Sequence, residues 1–299
     1  MKKFVLISLA FIVSSHIMAQ DNNFMIYSFK GNVTVIDNKV ETGAKIGKVM
    51  KPTTTIRVAA GGIVSLICDQ SSMFTFSKPG SYLLSKYTDS CSSSTSSVSA
   101  NYVKYVWNQL TSHEASPGSN RKAFMNTVGA VTRSVNNIWI DPKLDTVNYT
   151  GGDFPLSWKS YAEAKEFQFF LYTSQNVTEP IYTATVSKMK VAIPSFISKM
   201  KAGNSYFWTS AIKGEENDEM KVLNYVSKAT YDALVGTFKS QGPASEGAAE
   251  QAYRVAFMLE DAHYLSEAYE YYTKAAAADS NNALYRFTLM SFKKDYEIK

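Results

Sequence analysis

Few residues of this chain belong to the types that carry out catalysis or hold metal ions. Beyond the first 19 residues the histidines are His113 and His263, which lie far apart and in different predicted domains. A metal cluster needs several ligands in one place, and a general base needs an orienting partner; neither arrangement is visible. The sequence also has no phosphate-binding glycine loop, Gly-x-Ser-x-Gly elbow or Cys-x-x-Cys pair. It therefore predicts a non-enzymatic protein with no catalytic residues, no cofactor and no metal site.

The densest group of carboxylates lies in the stretch KGEENDEMK, between two predicted strands. Its members are Glu215, Glu216, Asp218 and Glu219. Two catalytic carboxylates need different environments to take the roles of acid and base, and the tip of a hairpin does not provide them. We therefore interpret this stretch as a solvated turn.

The two cysteines are a candidate disulfide. Cys68 ends a predicted strand and Cys91 lies beside a Ser-rich stretch. In an exported protein two cysteines of one domain can be joined, and closing a loop of this length contributes about 3 kcal/mol. A buried thiol at Cys68 with an incidental one at Cys91 is an equally good interpretation of the sequence.

The last predicted helix, 283–294, has apolar residues on two opposite faces. At about 100° per residue they form two stripes, the first Ala283, Phe287 and Met290 and the second Tyr285, Leu289 and Phe292. We expect the first stripe to pack on the preceding helix. The second stripe either docks onto the predicted sandwich or the helix at 230–240, which we favour because chain termini often fold back, or it is exposed. Exposure would make it the candidate partner-binding surface, for another protein or a second copy of the chain.

The amino-terminal residues are typical of a secretory leader. Lys2 and Lys3 precede an apolar run, and cleavage is expected after Ala19. The run is shorter than the roughly 20 residues that a membrane-spanning helix needs, and no later segment is long and apolar enough, so no transmembrane segment is expected after cleavage. We predict export to the periplasm or cell envelope, with 1–19 removed.

Composition and charge argue against a nucleic-acid partner. The chain is 45% hydrophobic and 19% charged, which is ordinary for a globular protein. Removal of Lys2 and Lys3 leaves 29 basic against 26 acidic residues, a net charge of about +3. The basic residues are scattered singly rather than arranged with aromatics along a groove.

Short apolar segments separated by Gly, Pro, Asn and Ser turns fill residues 24–88 and predict an antiparallel β domain. The pattern from GNVTV through TTTIRVAAGGIVSLICDQSSMFTFSKPGSYLL resembles the β domain of the FecR-type family. Members that regulate sigma factors have a cytoplasmic segment and a membrane span before this domain, whereas a cleavable leader is predicted in this chain. The resemblance therefore implies the fold of 20–89 and not the signalling role.

The next segment, 90–142, contains three predicted parts. SCSSSTSSVS is a low-complexity stretch that is expected to be a linker. Apolar residues at helical spacing then predict an amphipathic helix over 98–112. The remainder is interpreted as a connector with some strand character.

Alternating apolar residues return in 143–229 and predict a second β domain. An early Trp158, the stretch AGNSYFW and Trp208 within it resemble an immunoglobulin-like or fibronectin type III sandwich. The resemblance implies that Tyr206 forms the tyrosine corner. No cysteine pair lies in this segment, which favours the fibronectin type III variant.

Helical periodicity predicts helices throughout the last segment, 230–299. The stretch AYRVAFMLEDAHYLSEAYEYYTKAAAADSNNALY resembles one tetratricopeptide repeat. The matching positions are Val255, Ala256, Ala268, Tyr272 and Ala275. Ser280 stands where the repeat usually has Pro, and Ala252 where it often has Trp.

The sequence thus predicts a multidomain β plus α protein: a FecR-like antiparallel β domain, an Ig/fibronectin type III-like β-sandwich and C-terminal tetratricopeptide-like α-hairpins. These module types act elsewhere mostly as binding surfaces, which predicts an envelope protein acting as a protein–protein interaction scaffold or accessory subunit. Its partners would be envelope proteins or a second copy of itself. One alternative is a glycan or cell-wall binding module that uses some of its 19 Tyr and 4 Trp for stacking. Another is a soluble sensor related to FecR-type signalling proteins.

Overall fold

The architecture is mixed β plus α. The computed structural model describes residues 23–69, 72–91, 100–111, 121 and 137–298. The predicted leader, most of the Ser-rich linker, His113 and much of the predicted connector lie outside these residues. Within the described residues, the helix Ala100–Thr111 lies between two β regions, and four helices follow the second of them.

The first β region consists of two four-stranded antiparallel sheets. Its strands are β1 (Phe24–Lys30), β2 (Val33–Asp37), β3 (Val40–Gly43), β4 (Val49–Met50), β5 (Thr55–Val58), β6 (Ile63–Cys68), β7 (Ser72–Phe76) and β8 (Gly80–Leu83). The sheet orders are β4-β1-β6-β7 and β3-β2-β5-β8. Asn38 and Lys39 both have positive φ, 49° and 67°, which matches the tight turn that a two-residue hairpin between β2 and β3 requires. A 3-10 segment, Leu84–Cys91, closes the region.

Strand β1 is buried on both of its faces. Phe24 and Ile26 face the core between the two sheets, together with Leu66 of β6. Met25 and Tyr27 point the other way and join the larger core of the molecule. The strand is therefore apolar at successive positions instead of alternating, because neither face meets water.

Helix α1 (Ala100–Thr111) covers this second face of β1. It buries residues on a wide arc of its surface: Tyr102, Val103, Tyr105, Val106 and Trp107. The helix was predicted over 98–112. Such a wide apolar arc is expected for a helix that is packed between two other layers.

The second β region is built around a five-stranded sheet. The strands are β9 (Ile138–Trp139), β10 (Thr146–Tyr149), β11 (Pro155–Ser157), β12 (Lys159–Ser160), β13 (Phe167–Tyr172), β14 (Tyr182–Val186), β15 (Lys190–Ala192), β16 (Asn204–Ile212) and β17 (Lys221–Tyr225). The sheet order is β10-β17-β16-β13-β14, with β10 and β17 parallel, and β11–β15 and β12–β9 form two further pairs. Aromatic rings fill the core: Phe169 stacks on Trp208 at 5.8 Å and on Trp158 at 6.4 Å between ring centroids.

The four carboxyl-terminal helices are α2 (Lys228–Ser240), α3 (Ala248–Asp261), α4 (Leu265–Ala278) and α5 (Ala283–Asp295). Ser227 caps α2 by accepting a hydrogen bond from Thr230 N, and Asn282 caps α5 by accepting one from Leu284 N. These caps explain why the helices begin within a few residues of the positions that periodicity predicts.

One apolar core connects the two β regions through the helices. It contains Tyr27 of β1, Tyr105 of α1, Phe257 of α3, Phe292 of α5 and Phe154, which precedes β11. The predicted carboxyl-terminal helices are therefore packed between the β regions instead of forming a separate exposed end.

Candidate binding surface

The structure buries the second apolar stripe of α5 and exposes most of the first. Tyr285 is 6% exposed and Phe292 0% exposed, and Leu289 packs against the same core. In contrast, Phe287 is 39% and Met290 63% exposed. The expectation that the Phe287 stripe packs on the preceding helix is wrong, and Tyr285, Leu289 and Phe292 do not form an exposed partner-binding surface.

The physical reason is the set of rings that α3 and α4 present to α5. The Tyr285 ring lies 4.7 Å from that of Tyr253, and the Phe292 ring lies 5.4 Å from that of Tyr272. The Arg121 guanidinium lies over the Phe292 ring at 5.1 Å. Aromatic side chains bury a large apolar area and gain further from contacts with other rings. The stripe with Tyr285 and Phe292, which meets these rings, is therefore the buried one. Docking of this stripe onto the predicted sandwich or the helix at 230–240 was the favoured expectation, but the rings that pack on Tyr285 and Phe292 belong to α3 and α4.

The two cysteines meet at the edge of the first β region. Cys68 at the end of β6 and Cys91 at the end of the 3-10 segment form a disulfide with their Cα atoms 5.5 Å apart. Ser72 Oγ donates a hydrogen bond to the Cys91 carbonyl at 2.7 Å. The linkage attaches the segment that leads into the Ser-rich stretch to the first β region.

His263 has a structural role in the turn between α3 and α4. It adopts a left-handed conformation with φ of 63°, and its carbonyl accepts a hydrogen bond from Asn148 N at 2.9 Å. Its Nδ1 lies 3.2 Å from the Lys143 carbonyl. Among the described residues no group of three or more His, Cys, Asp or Glu is placed to hold a metal ion.

A fully buried ion pair joins the first β region to the helices. Arg254 of α3 donates from Nε and Nη2 to the two carboxylate oxygens of Glu246, at 2.6 and 2.8 Å. The Tyr27 hydroxyl donates to the same carboxylate at 2.8 Å and lies 2.9 Å from the Tyr102 hydroxyl. We call these four residues the buried joint. Burial, followed by the nearby Tyr102 and Glu246, raises the pKa of Tyr27 well above its usual value, so the phenol stays protonated as a donor.

The loop between α2 and α3 is shaped to hold this joint. Ser245 Oγ lies 2.7 Å from Ser28 Oγ and 2.5 Å from Ser65 Oγ, both on the buried face of the sheet. A Cβ atom at Gly242 would overlap the Arg254 guanidinium, so a residue with a side chain does not fit at this position. Every polar group of the joint is used in holding the fold together, which leaves none to bind a ligand.

The acidic hairpin between β16 and β17 has a different environment. Lys221 forms ion pairs with Glu219 at 2.5 Å and with Asp145 at 2.6 Å. The other carboxylates of the run, Glu215, Glu216 and Asp218, are exposed, and no lysine or arginine of the described residues forms an ion pair with them. Within the part of the chain that the structure describes, one acid of the hairpin is therefore neutralised by an ion pair and three are not.

These three carboxylates line an open cleft of about 490 Å³ on the outer face of the five-stranded sheet. Its floor includes Phe170 and Tyr172 of β13, whose ring centroids are 6.4 Å apart. The loop between β13 and β14 forms the facing wall, with Asn176, Val177 and Thr178. We call this site the acidic cleft. Its volume lies in the range of about 300–1,000 Å³ that is usual for small-ligand sites.

Asn217 holds the acidic wall in place. Its Nδ2 donates to the Ser210 carbonyl at 2.8 Å, and its carbonyl accepts from Thr209 Oγ1 at 3.1 Å. Its Oδ1 accepts from Glu219 N at 3.0 Å. The turn therefore has a fixed backbone, although the acids on it are exposed.

The cleft combines two recognition chemistries. Aromatic faces attract cations and stack on flat or apolar surfaces, and carboxylates bind cations or accept hydrogen bonds. Partial burial raises the pKa of the Tyr172 phenol, so it remains a neutral donor at physiological pH. Catalysis is not favoured, because the three acids lie in similar exposed surroundings.

Sequence reasoning treated the acids as a solvated turn and missed the cleft. One signal was available: β13 reads FQFFLY, with Phe167, Phe169 and Leu171 inward but also Phe170 and Tyr172 outward. Aromatic residues on the solvent side of a half-buried strand are a sign of a binding face. The facing wall gave no such signal, because the loop between β13 and β14 approaches the hairpin only in the folded chain.

Comparison with models of known protein families and with curated proteins finds no match to this chain. Across the part of the chain that the structure describes, no helix has both the length and the apolar character needed to cross a membrane.

Proposed function

We propose that this chain is an exported, non-enzymatic protein of the bacterial cell envelope that acts as a protein–protein interaction scaffold or accessory subunit, with the acidic cleft as its binding surface. The observation that carries the proposal is the cleft itself. It is open, it is lined by half-buried aromatic and exposed acidic side chains, and it lies on a regular sheet. A binding group on a sheet is held more precisely than one on a free loop.

Export is supported by two features. The amino-terminal sequence has the order of a secretory leader, and Cys68 and Cys91 are placed for a disulfide. Disulfides persist in oxidising compartments such as the bacterial periplasm and are rare in the cytosol.

The module types are part of the same proposal. A FecR-like identity for the first β region is supported by its antiparallel strands and by the position of the Gly80–Leu83 strand at its end. A fibronectin type III-like identity for the second is supported by Tyr206, whose hydroxyl accepts a hydrogen bond from Lys201 N at 2.7 Å, as in a tyrosine corner.

A tetratricopeptide-like identity for the helices is supported by the burial of its motif positions. Those positions are Val255, Ala256, Ala268, Tyr272 and Ala275, each 0% exposed. Repeats of this kind stack on neighbours because one repeat cannot bury its own faces. Here the neighbours are the β regions, so the helices act as an internal connector and leave partner binding to another surface.

The helices also fix the second β region in place, which is what a scaffold requires. Thr150 donates from N and from Oγ1 to Glu267 of α4, each at 2.6 Å. Asn148 Nδ2 donates to the Ala262 carbonyl at 2.9 Å. Together with the buried joint, these contacts hold the acidic cleft at a set position relative to the first β region.

Glycan binding is the second candidate, and the lining of the cleft favours it over the remaining alternatives. Phe170 and Tyr172 could stack on the apolar face of a sugar ring. The Asn176 amide could then donate and accept hydrogen bonds with its hydroxyls, and the carboxylates could accept hydrogen bonds from them.

Photo-crosslinking in intact cells tests the proposal. A photoreactive amino acid would replace Val177, which is 38% exposed in the cleft wall, and in a control it would replace Tyr161, which is 75% exposed and outside the cleft. We expect a discrete protein adduct from position 177 that is absent from position 161. An adduct to glycan would favour the second candidate, and identical products from both positions would overturn the cleft as the binding surface.

A further inference from the structure

The acidic cleft has unbalanced negative charge on a rigid wall. Lys221 is already shared between Glu219 and Asp145, so it is not available to the other acids. Glu215, Glu216 and Asp218 lie within four consecutive positions, and like charges this close repel each other. Because Asn217 fixes the backbone of the turn, the acids cannot separate far. A bound cation would relieve this repulsion.

The floor of the cleft selects among cations. Phe170 and Tyr172 are half-buried, and their rings are tilted by 33° to each other. An ammonium or guanidinium group within about 6 Å of such a ring binds about two- to fivefold more tightly at an exposed site. A hydrated metal ion would gain nothing from the aromatic floor, and the described residues offer it no set of three ligating side chains.

We propose that the acidic cleft binds a lysine or arginine side chain on an exposed segment of a partner protein, with its charged head on Glu215, Glu216 and Asp218 and its stem against Phe170 and Tyr172. This inference rests on the proposed function and names the chemistry of the partner. Charge complementarity carries it: the ionised groups in the lining are carboxylates. Arginine fits best, because its planar group both stacks on a ring and forms two parallel hydrogen bonds with one carboxylate.

The probe is a fluorescein-labelled peptide with two arginines separated by one glycine, and its matched control has citrulline in place of arginine. Citrulline has nearly the shape of arginine but no charge. We expect the mature full-length chain to bind the arginine peptide at least tenfold more tightly than the citrulline peptide. Raising the salt concentration should weaken this binding, since exposed charges are screened over about 8–10 Å at physiological ionic strength. Equal affinity for the two peptides would overturn the proposal.

The test variant is Glu215→Gln, Glu216→Gln and Asp218→Asn combined. It removes the charge and keeps the size of each side chain. We expect the arginine peptide to bind at least tenfold more weakly and the salt dependence to be lost. A separate Phe170→Leu variant should weaken binding about two- to fivefold, which corresponds to one exposed cation–π contact.

The matched control combines Asp37→Asn, Glu163→Gln and Asp232→Asn, which change net charge equally at exposed positions outside the cleft. It should retain the affinity of the unmodified chain within about twofold. A similar loss in the test and control variants would show that only net charge matters and would overturn a defined site.

The crosslinking experiment separates the two proposals. If position 177 yields its protein adduct in both the unmodified chain and the triple test variant, the cleft is a protein-binding surface but does not select a cation. If position 177 yields no specific protein adduct in either chain, the proposed function itself fails. Loss of the adduct in the test variant alone supports the cationic partner, including the case in which the partner is a second copy of this chain.

Discussion

Carboxylates and aromatic rings come together in two regions of this molecule with opposite outcomes. In the buried joint, Glu246 accepts from Arg254 and from Tyr27, and all of these side chains are almost fully removed from water. In the acidic cleft, Glu215 and Asp218 remain exposed beside Tyr172 and have no cationic partner among the described residues. The same residue types thus hold two layers together in one place and leave a free surface in the other.

Pairing and burial, and not residue type, therefore separate a structural cluster from a binding surface. A buried carboxylate must be paired because an isolated charge in the interior is very costly. An exposed carboxylate is stabilised by water, so it needs no ion-pair partner within the protein and can bind one from another molecule. The two regions should therefore respond very differently to the same kind of substitution.

The largest effect is expected in the buried joint. Glu246→Ala leaves the Arg254 guanidinium buried without its carboxylate, and removal of one member of a buried pair costs about 3–5 kcal/mol. Urea unfolding followed by circular dichroism would measure it. Replacing Glu246 by Leu and Arg254 by Met together should recover much of this loss, because neither charge is then left unpaired. Unchanged stability in the Glu246→Ala variant would show that the carboxylate in the buried joint has no structural role, which would contradict the contrast with the acidic cleft.

Two phenylalanines on α5 provide a matched test of burial. Phe292→Ala should lower the free energy of unfolding by about 3–5 kcal/mol, because it opens a cavity among Tyr269, Tyr272 and Tyr296. Phe287→Ala on the exposed face should change it by about 0.5 kcal/mol or less. Thermal melting of both variants would decide which stripe is core. Equal losses would contradict the orientation of the helix.

An intermediate effect is expected at the disulfide. Cys68 and Cys91 are separated by 23 positions, and joining them restricts the unfolded chain by about 3 kcal/mol. Replacing both with Ala should lower stability by about this amount, whereas the acidic cleft should keep its affinity for the arginine peptide. Intact-mass analysis after alkylation without reductant should show no free thiol. Two alkylated cysteines would show that the linkage is not formed.

The smallest effect concerns the pH dependence of Glu267. Burial raises the pKa of this carboxyl, although the hydrogen bonds from Thr150 oppose the shift. The folded state then binds the proton more tightly than the unfolded state, so stability is lost as pH rises from the unfolded value through the folded one. Glu267→Gln removes this dependence. The melting temperature of this variant minus that of the unmodified chain should become more positive as the pH rises from 4 to 7. A difference that stays constant over this range would contradict the raised pKa of Glu267.

Much of the secondary structure could be predicted because its signals are local. β16 and β17 follow alternating apolar residues, and α3 and α4 follow helical periodicity to within a few positions. Short strands such as Val49–Met50 and Ile138–Trp139 were missed as separate strands. Two residues cannot show a period, so only pairing with a neighbouring strand defines such elements.

The candidate site could be predicted only in part. The acids of the hairpin were found, but Glu219 was grouped with the others, although Lys221 neutralises it. This contact is local, because Glu219 lies only two positions before Lys221. The second partner of the lysine is not local, because Asp145 approaches it only when β10 pairs with β17.

The order of the longer elements, their approximate ends and the shortage of catalytic residue types follow from the sequence alone. These properties depend on side-chain period, caps and composition, which act over a few residues. Only the tertiary structure decided which apolar face of α5 is buried, why β1 is apolar on both faces, and where the loop after β13 meets the acidic hairpin. Two apolar faces of one element have similar transfer free energies, so the choice between them depends on the rings and cavities that distant parts of the chain provide.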